Sequence, residues 1–196
     1  MATADDVAAA VLRLTGAVTT KKLQKLVYYS QAWHLARYSE AIFAEEIEAW
    51  VEGPVVRSLW SKHRKFYSIS EWPTGNQATL TGIQLNTIQW VVSKYGNFSA
   101  ESLSRMTHAE TPWLIARSLH APNDRSSEPI KKDHMRSFYA RQHATPDVAV
   151  ALAAANSAIE GVELDTDWQE LLREVADGSR SADDLIKQQI RRVRGN

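Results

Sequence analysis

The stretch spanning residues 21–38 limits what this chain can fold into more than any other. It places Leu23, Leu26, Val27, Ser30, Trp33, His34 and Ala36 at helical spacing, and Thr20 stands ahead of it as an N-cap. Gln24 and Lys25 fall away from the Leu23-Leu26-Val27 stripe. A mainly α domain built around this helix is predicted. Further helices are predicted at 5–14, with Val7, Val11 and Leu14 on one face and Gly16 as its stop, and at 84–95, ending at Gly96. Another is capped by Ser99 and holds Leu103 and Met106; two more cover 112–119 and 130–141. Residues 42–51 read as extended chain or a turn. Pro54 suits the first turn of a helix through Val56, Leu59, Trp60 and His63, with Gly53-Pro54 as a rigid lead-in. On either side of the Pro73-Thr74-Gly75-Asn76 turn, Ser68-Ile69-Ser70 and Ala78-Thr79-Leu80 are expected to pair as a small β-hairpin. Residues 121–128 are read as a loop.

Composition narrows the function. A chain of 196 residues with 44% apolar content can bury one ordinary core and a small appendage. Lys plus Arg equals Asp plus Glu at 23 each, which argues against binding nucleic acid through bulk charge. Two local basic clusters, Lys21-Lys22-Lys25 and Arg191-Arg192-Arg194, leave a DNA-binding autorepressor as a minor alternative. Without cysteine there are no disulfides and no thiolate metal sites. Residues 1–10 carry Asp5 and Asp6 and no basic residue, unlike a secretory leader. No apolar run approaches the roughly 20 residues of a membrane helix. The expectation is a soluble, cytoplasmic protein with no membrane contact. Ala144-Thr145-Pro146 marks a boundary, because six of the seven tryptophans precede it and an alanine-rich run follows. The reading is a helical domain over 1–143 and a module of three short helices over 146–196.

Catalytic signatures are missing. There is no glycine-rich phosphate loop, no Gly-x-Ser-x-Gly and no His-Glu-x-x-His. The six histidines form no i,i+4 pair, so no metal and no cofactor is expected. Glu45, Glu46 and Glu48 read as a solvated edge, and Thr107-His108-Ala109-Glu110 as a polar helix boundary. Tyr28, Tyr29, Trp33, Trp50, Trp60, Trp90 and Trp113 read as core, with some of them available to a protein partner. These features describe a binding protein and not an enzyme.

Several separated pieces occur in a set order: Leu23-Gln24-Lys25-Leu26-Val27-Tyr28-Tyr29 continuing to Ala32-Trp33, then Ile47-Glu48-Ala49-Trp50 with Gly53-Pro54-Val55. Leu103-Ser104, Thr107-His108, Pro112-Trp113 and Ala116-Arg117 follow. Together, over residues 5–142, they resemble the Panacea (SocA-like) antitoxin domain. The resemblance implies a mostly helical, non-catalytic domain encoded beside a toxin gene. Its motif residues here are Gln24, Lys25, Tyr28, Tyr29, Trp50, Gly53, Pro54, Thr107, His108, Pro112 and Trp113. It also implies a cognate protein toxin as partner and allows a protease or chaperone, since a family member can act as a proteolytic adaptor.

The tail has its own pattern. Asn156-Ser157-Ala158-Ile159-Glu160-Gly161-Val162-Glu163, Asp177-Gly178 and Ala182-Asp183-Asp184-Leu185-Ile186 resemble the VbhA-type antitoxins that inhibit Fic adenylyltransferases. The inhibitory pattern of that family is Ser or Thr, three residues, Glu, then Gly or Asn. Glu160 and Gly161 fit it, and Asn156 stands where Ser or Thr is usual. Asn156 and Glu160 are four apart and so share a helix face, which Gly161 can end in a left-handed turn. A carboxylate in a last helical turn opposes the helix dipole and invites a cation from a partner. Trp168, Leu171, Leu172 and Val175 make one apolar face, and Ser181 with Asp184 resembles a capping box ahead of Leu185, Ile186 and Ile190. Such short amphipathic helices need a surface to dock on; Trp168, Leu171, Leu172, Leu185 and Ile186 are the expected toxin contacts. The competing reading is a Panacea antitoxin for a toxin of another class, with the tail as a clamp or degradation signal.

Overall fold

The computed structural model describes residues 2–143, 150, 154, 157, 158, 161, 164–176, 179–181, 184–187, 190 and 191. The chain divides into two compact units, Met1–Ala140 and Arg141–Asn196.

The first unit is helical with two small antiparallel sheets. Helix α1 (Ala4–Thr15) opens with a capping box between Thr3 and Asp6 and stops at Gly16. Strand β1 (Val18–Thr19) leads into α2 (Thr20–Tyr38), whose cap is Thr19 and not Thr20: the Thr19 hydroxyl accepts from the Lys22 amide at 3.2 Å. Helix α2 shows no stripe, because every residue from Leu23 to Leu35 is buried. Gln24 and Lys25, expected off the apolar face, are therefore inside. The reason is central placement: α1, α3, α4, α5, β1 and β3 all pack on α2.

A helix buried all round must satisfy its polar side chains internally, and α2 does so by holding chain segments. Gln31 accepts from the Ile42 and Phe43 amides at 2.8 and 3.3 Å and donates to the Phe43 carbonyl at 2.8 Å. Gln24 does the same for Val56, accepting its amide at 2.8 Å and donating to its carbonyl at 3.3 Å. Ser30 donates to the Leu26 carbonyl and His34 Nδ1 meets the Thr87 hydroxyl at 3.0 Å.

Strands β2 (Ile47–Trp50) and β3 (Gly53–Val56) form a hairpin with Ile47 opposite Val56 and Trp50 opposite Gly53. Pro54 lies in β3 opposite Ala49, not in the first turn of a helix; α3 (Arg57–His63) starts three residues later. An edge strand tolerates proline where no ladder N–H is needed. Strand β4 (Ser68–Ile69) pairs with β1 and not with 78–80, which is a 3₁₀ turn over Gln77–Thr79. The intervening loop is docked on α1 instead: Asp5 accepts from Trp72 Nε1 at 2.7 Å and Asp6 from the Asn76 amide at 2.7 Å.

Helices α4 (Gly82–Tyr95) and α5 (Ala100–His108) follow, capped by Thr81 and Ser99. Helix α6 (Thr111–Ala116) stops short of Leu119, because Arg117 turns inward and is buried while Leu119 is exposed. Helix α7 (Lys132–His143) starts later than expected, since residues 128–130 run beside β2: the Ala49 amide donates to Glu128 O at 2.8 Å and the Ile130 amide to Ile47 O at 2.7 Å.

In the second unit, α8 (Thr166–Ala176) is capped by Asp165, whose carboxylate accepts from the Trp168 amide at 2.8 Å. Trp168, Leu171, Leu172 and Val175 are half-buried along it. Glu174 pairs with Arg180 at 2.8 Å. Residues 184–187 are helical; Leu185 is buried, and its amide donates to Ser181 O at 3.1 Å. Among the described residues no helix is long and apolar enough to cross a membrane.

Candidate functional site

Several of the motif residues of the first unit converge on the β2–β3 hairpin. Lys25 Nζ donates to the Pro54 carbonyl at 3.0 Å, and Gln24 holds Val56 on the same strand. Gln24 Nε2 also lies 2.8 Å from His63 Nε2; as the amide must donate, the imidazole accepts there. The Ser104 hydroxyl of α5 donates to the Glu52 carbonyl at 2.9 Å, and Trp113 Nε1 of α6 to the Trp50 carbonyl at 3.0 Å. Arg117 Nη1 donates to the Ala49 carbonyl at 3.0 Å. Side chains from α2, α5 and the α6 region thus occupy the carbonyls of Ala49, Trp50, Glu52, Pro54 and Val56 along one hairpin.

Gly53 is required at its centre. Its φ is +99°, and a Cβ there would come within 2.8 Å of Lys25 Cε and Nζ and 2.9 Å of Thr107 Oγ1. Lys25 is fully enclosed. Burial first, and the nearby Lys21 charge second, lower its ammonium from 10.5 to about 7. His108 stacks on Trp113 with ring centroids 4.2 Å apart, and burial followed by the Lys25 charge lowers its pKa.

A second cluster surrounds Glu110. Tyr29 donates to its Oε1 at 3.1 Å and Tyr139 to its Oε2 at 2.5 Å, while Tyr139 also meets Tyr28 at 3.3 Å. Tyr95 stacks on Tyr29 at 4.1 Å and accepts from Trp33 Nε1 at 3.0 Å. Burial raises the Glu110 carboxyl from 4.5 to about 7, against the pull of the two tyrosine hydroxyls. The supposed polar boundary at 107–110 is therefore partly interior: Thr107 and Glu110 are buried. The supposed solvated edge also divides. Glu48 is buried and accepts from Trp50 and Arg57, Glu45 accepts from the Ala4 amide, and Glu46 is exposed. Tyr28 and Tyr29 belong to the Glu110 cluster. Pro112 and Trp113 are buried in α6, and Thr107 closes over Gly53. No local pattern marks the role of Glu110, because its partners lie 81 and 29 residues away. Nor does the sequence separate Arg117 from the basic residues on the surface.

In the tail, Gly161 has φ +79° and its amide donates to Ala158 O at 3.1 Å. Asn156 and Glu160 lie outside the described residues, as do Ala182 and Asp183. Trp168, Leu171 and Leu172 share a face of α8, while Ile186 is exposed beside the buried Leu185. Among the described residues no group of His, Asp or Glu could hold a metal ion.

The two regions match two families of one class. Residues 23–114 match the family model of the SocA-like antitoxin, Panacea domain. Residues 148–192 match that of the antitoxin VbhA. Both are antitoxin families, and together they support an antitoxin role in a toxin–antitoxin system, with a cognate toxin as partner. No curated protein and no solved structure matches the chain.

Proposed function

We propose that this chain is a cytoplasmic, non-catalytic antitoxin of two parts: a Panacea-like domain over 1–143 and a tail over 146–196 that inhibits a Fic-type adenylyltransferase toxin. The VbhA match over 148–192 carries the reading, because it brackets Asn156, Glu160 and Gly161. Two described features support it. Gly161 adopts the positive φ that the end of a helix commonly uses. Helix α8 presents Trp168, Leu171 and Leu172 on one face, an anchor set of the kind that fills grooves on partner proteins. In this mechanism the Glu160 carboxylate pairs with the toxin arginine that would otherwise grip the ATP γ-phosphate. ATP then cannot dock in its productive pose, and the tail supplies most of the binding area.

The test is co-purification of the Glu160→Gly chain with the toxin encoded beside it, followed by an assay of AMP transfer. The complex is expected to assemble and to regain adenylyltransferase activity. Asn156→Ala is expected to have a smaller effect, since a neutral hydrogen bond contributes about 1 kcal/mol. Full inhibition by the Glu160→Gly complex would sink the mechanism. A cognate toxin without a Fic fold would sink the tail assignment.

A further inference from the structure

The hairpin turn and the 125–127 segment bound an open cleft of about 590 Å³, whose lining includes Trp50, Glu52, Arg57, Trp60 and Arg125. Both walls are held in place from inside. On the hairpin wall, Trp113 and Ser104 hold the carbonyls of Trp50 and Glu52. On the loop wall, Arg117 Nη2 takes the carbonyls of Ala121, Pro122 and Asp124 at 3.1, 3.1 and 2.8 Å. The other nitrogen of the same guanidinium holds Ala49 of the hairpin at 3.0 Å. One buried arginine therefore ties the two walls together and sets the width of the gap.

Two of the side chains facing the gap, Trp50 and Arg57, are also fixed. Trp50 Nε1 donates to Glu48 at 2.6 Å, and Arg57 pairs with the same carboxylate through Nε and Nη2, each at 2.6 Å. Arg57 lies over the Trp50 ring at 5.5 Å, and the Trp50 and Trp60 rings meet edge to face at 5.1 Å. Both indoles remain half-buried. Preorganised tryptophan on a rigid element is what a recognition surface uses, because little entropy is lost when a partner arrives.

Charge states what fits. Arg57 is neutralised by Glu48, and Glu52 is paired with Lys21. Arg125 is exposed and makes no hydrogen bond or ion pair among the described residues. The hairpin offers no free edge for an added strand at this point, since residues 128–130 already bond to β2 and Gln24 occupies Val56. Recognition must come from side chains. We infer that this cleft binds a peptide segment of a protein partner in which an apolar or aromatic residue sits against Trp50 and Trp60 and a neighbouring carboxylate pairs with Arg125. The proposal does not depend on the Fic reading of the tail.

The experiment uses the full chain, isotopically labelled, and the indole N–H resonances of Trp50 and Trp60. The probes are a capped peptide with a central Leu-Phe pair flanked by glutamates and its counterpart flanked by lysines. The acidic peptide is expected to shift both indole resonances, to weaken as salt rises, and to bind at least about tenfold more tightly than the basic one. Arg125→Glu, a change on an exposed loop that leaves the core intact, is expected to reverse that preference. Equal affinity for the two peptides, an absence of indole shifts, or unchanged selectivity in Arg125→Glu would each overturn the proposal.

Discussion

Replacing Glu110 with glutamine tests the internal electrostatics of the first unit. The folded carboxyl ionises at about 7, whereas 4.5 is its ordinary value. Between those pH values the folded chain holds a proton that the unfolded chain has released. Stability is therefore lost as pH rises from 4.5 through 7, and the penalty is complete above 7. The gap of about 2.5 pH units corresponds to about 3 kcal/mol at full ionisation, taking 1.36 kcal/mol per unit. The discount for solvent screening is small, because Glu110 is only 9% exposed. Glutamine keeps the shape and can still meet Tyr29 and Tyr139, but it never ionises. The variant should exceed the parent in stability by less than about 1 kcal/mol at pH 5 and by about 3 kcal/mol at pH 8. Burial lowers the pKa values of His34, His63 and His108, which gives them the opposite slope over part of this range. The difference between variant and parent at each pH cancels their contribution. Urea unfolding followed by near-ultraviolet circular dichroism suits the measurement, since six of the seven tryptophans report on this unit. A difference that stays constant from pH 5 to pH 8 would refute the reasoning.

Lys25→Met should act in the complementary window. The parent's penalty for enclosing a charged ammonium is complete below about 7 and is relieved as pH climbs toward 10.5, so the variant's gain in the same urea assay should shrink over that range. Gly53→Ala should destabilise the chain by at least about 2 kcal/mol, since it combines a φ of +99° with contacts of 2.8 Å; the midpoint of urea unfolding checks this. Trp168→Ala and Leu172→Ala should each weaken toxin binding by at least about 2 kcal/mol in calorimetry with the cognate toxin, as the loss of an apolar anchor does.

Helices were legible wherever the pattern was local. Gly16 and Gly96 mark the ends of α1 and α4, and Ser99 caps α5. Errors arose where a distant partner overrode a local preference. Pro54 looks like a helix start, but Lys25 and Gln24 hold its strand from 29 and 32 residues away. Ser68-Ile69 pairs with Val18-Thr19, far back in the sequence, and not with the nearer segment. That Gln24, Lys25 and Trp113 clamp one hairpin emerges only in three dimensions. Glu110 and Arg117 carry no local signature because their partners are set by packing alone.

Helix α2 has no outward face over thirteen consecutive residues, Leu23 to Leu35. Each position there answers to neighbours on every side, so a change that suited a new partner would first disturb the interior. Positions that can change without disturbing that interior lie on the shell, such as the hairpin turn, the 121–128 segment and the exposed flank of α6. Two chains built on this plan can therefore share nearly the same axis and yet present unrelated surfaces. In such a pair, similarity along α2 would report common architecture and carry no information about which toxin either one meets.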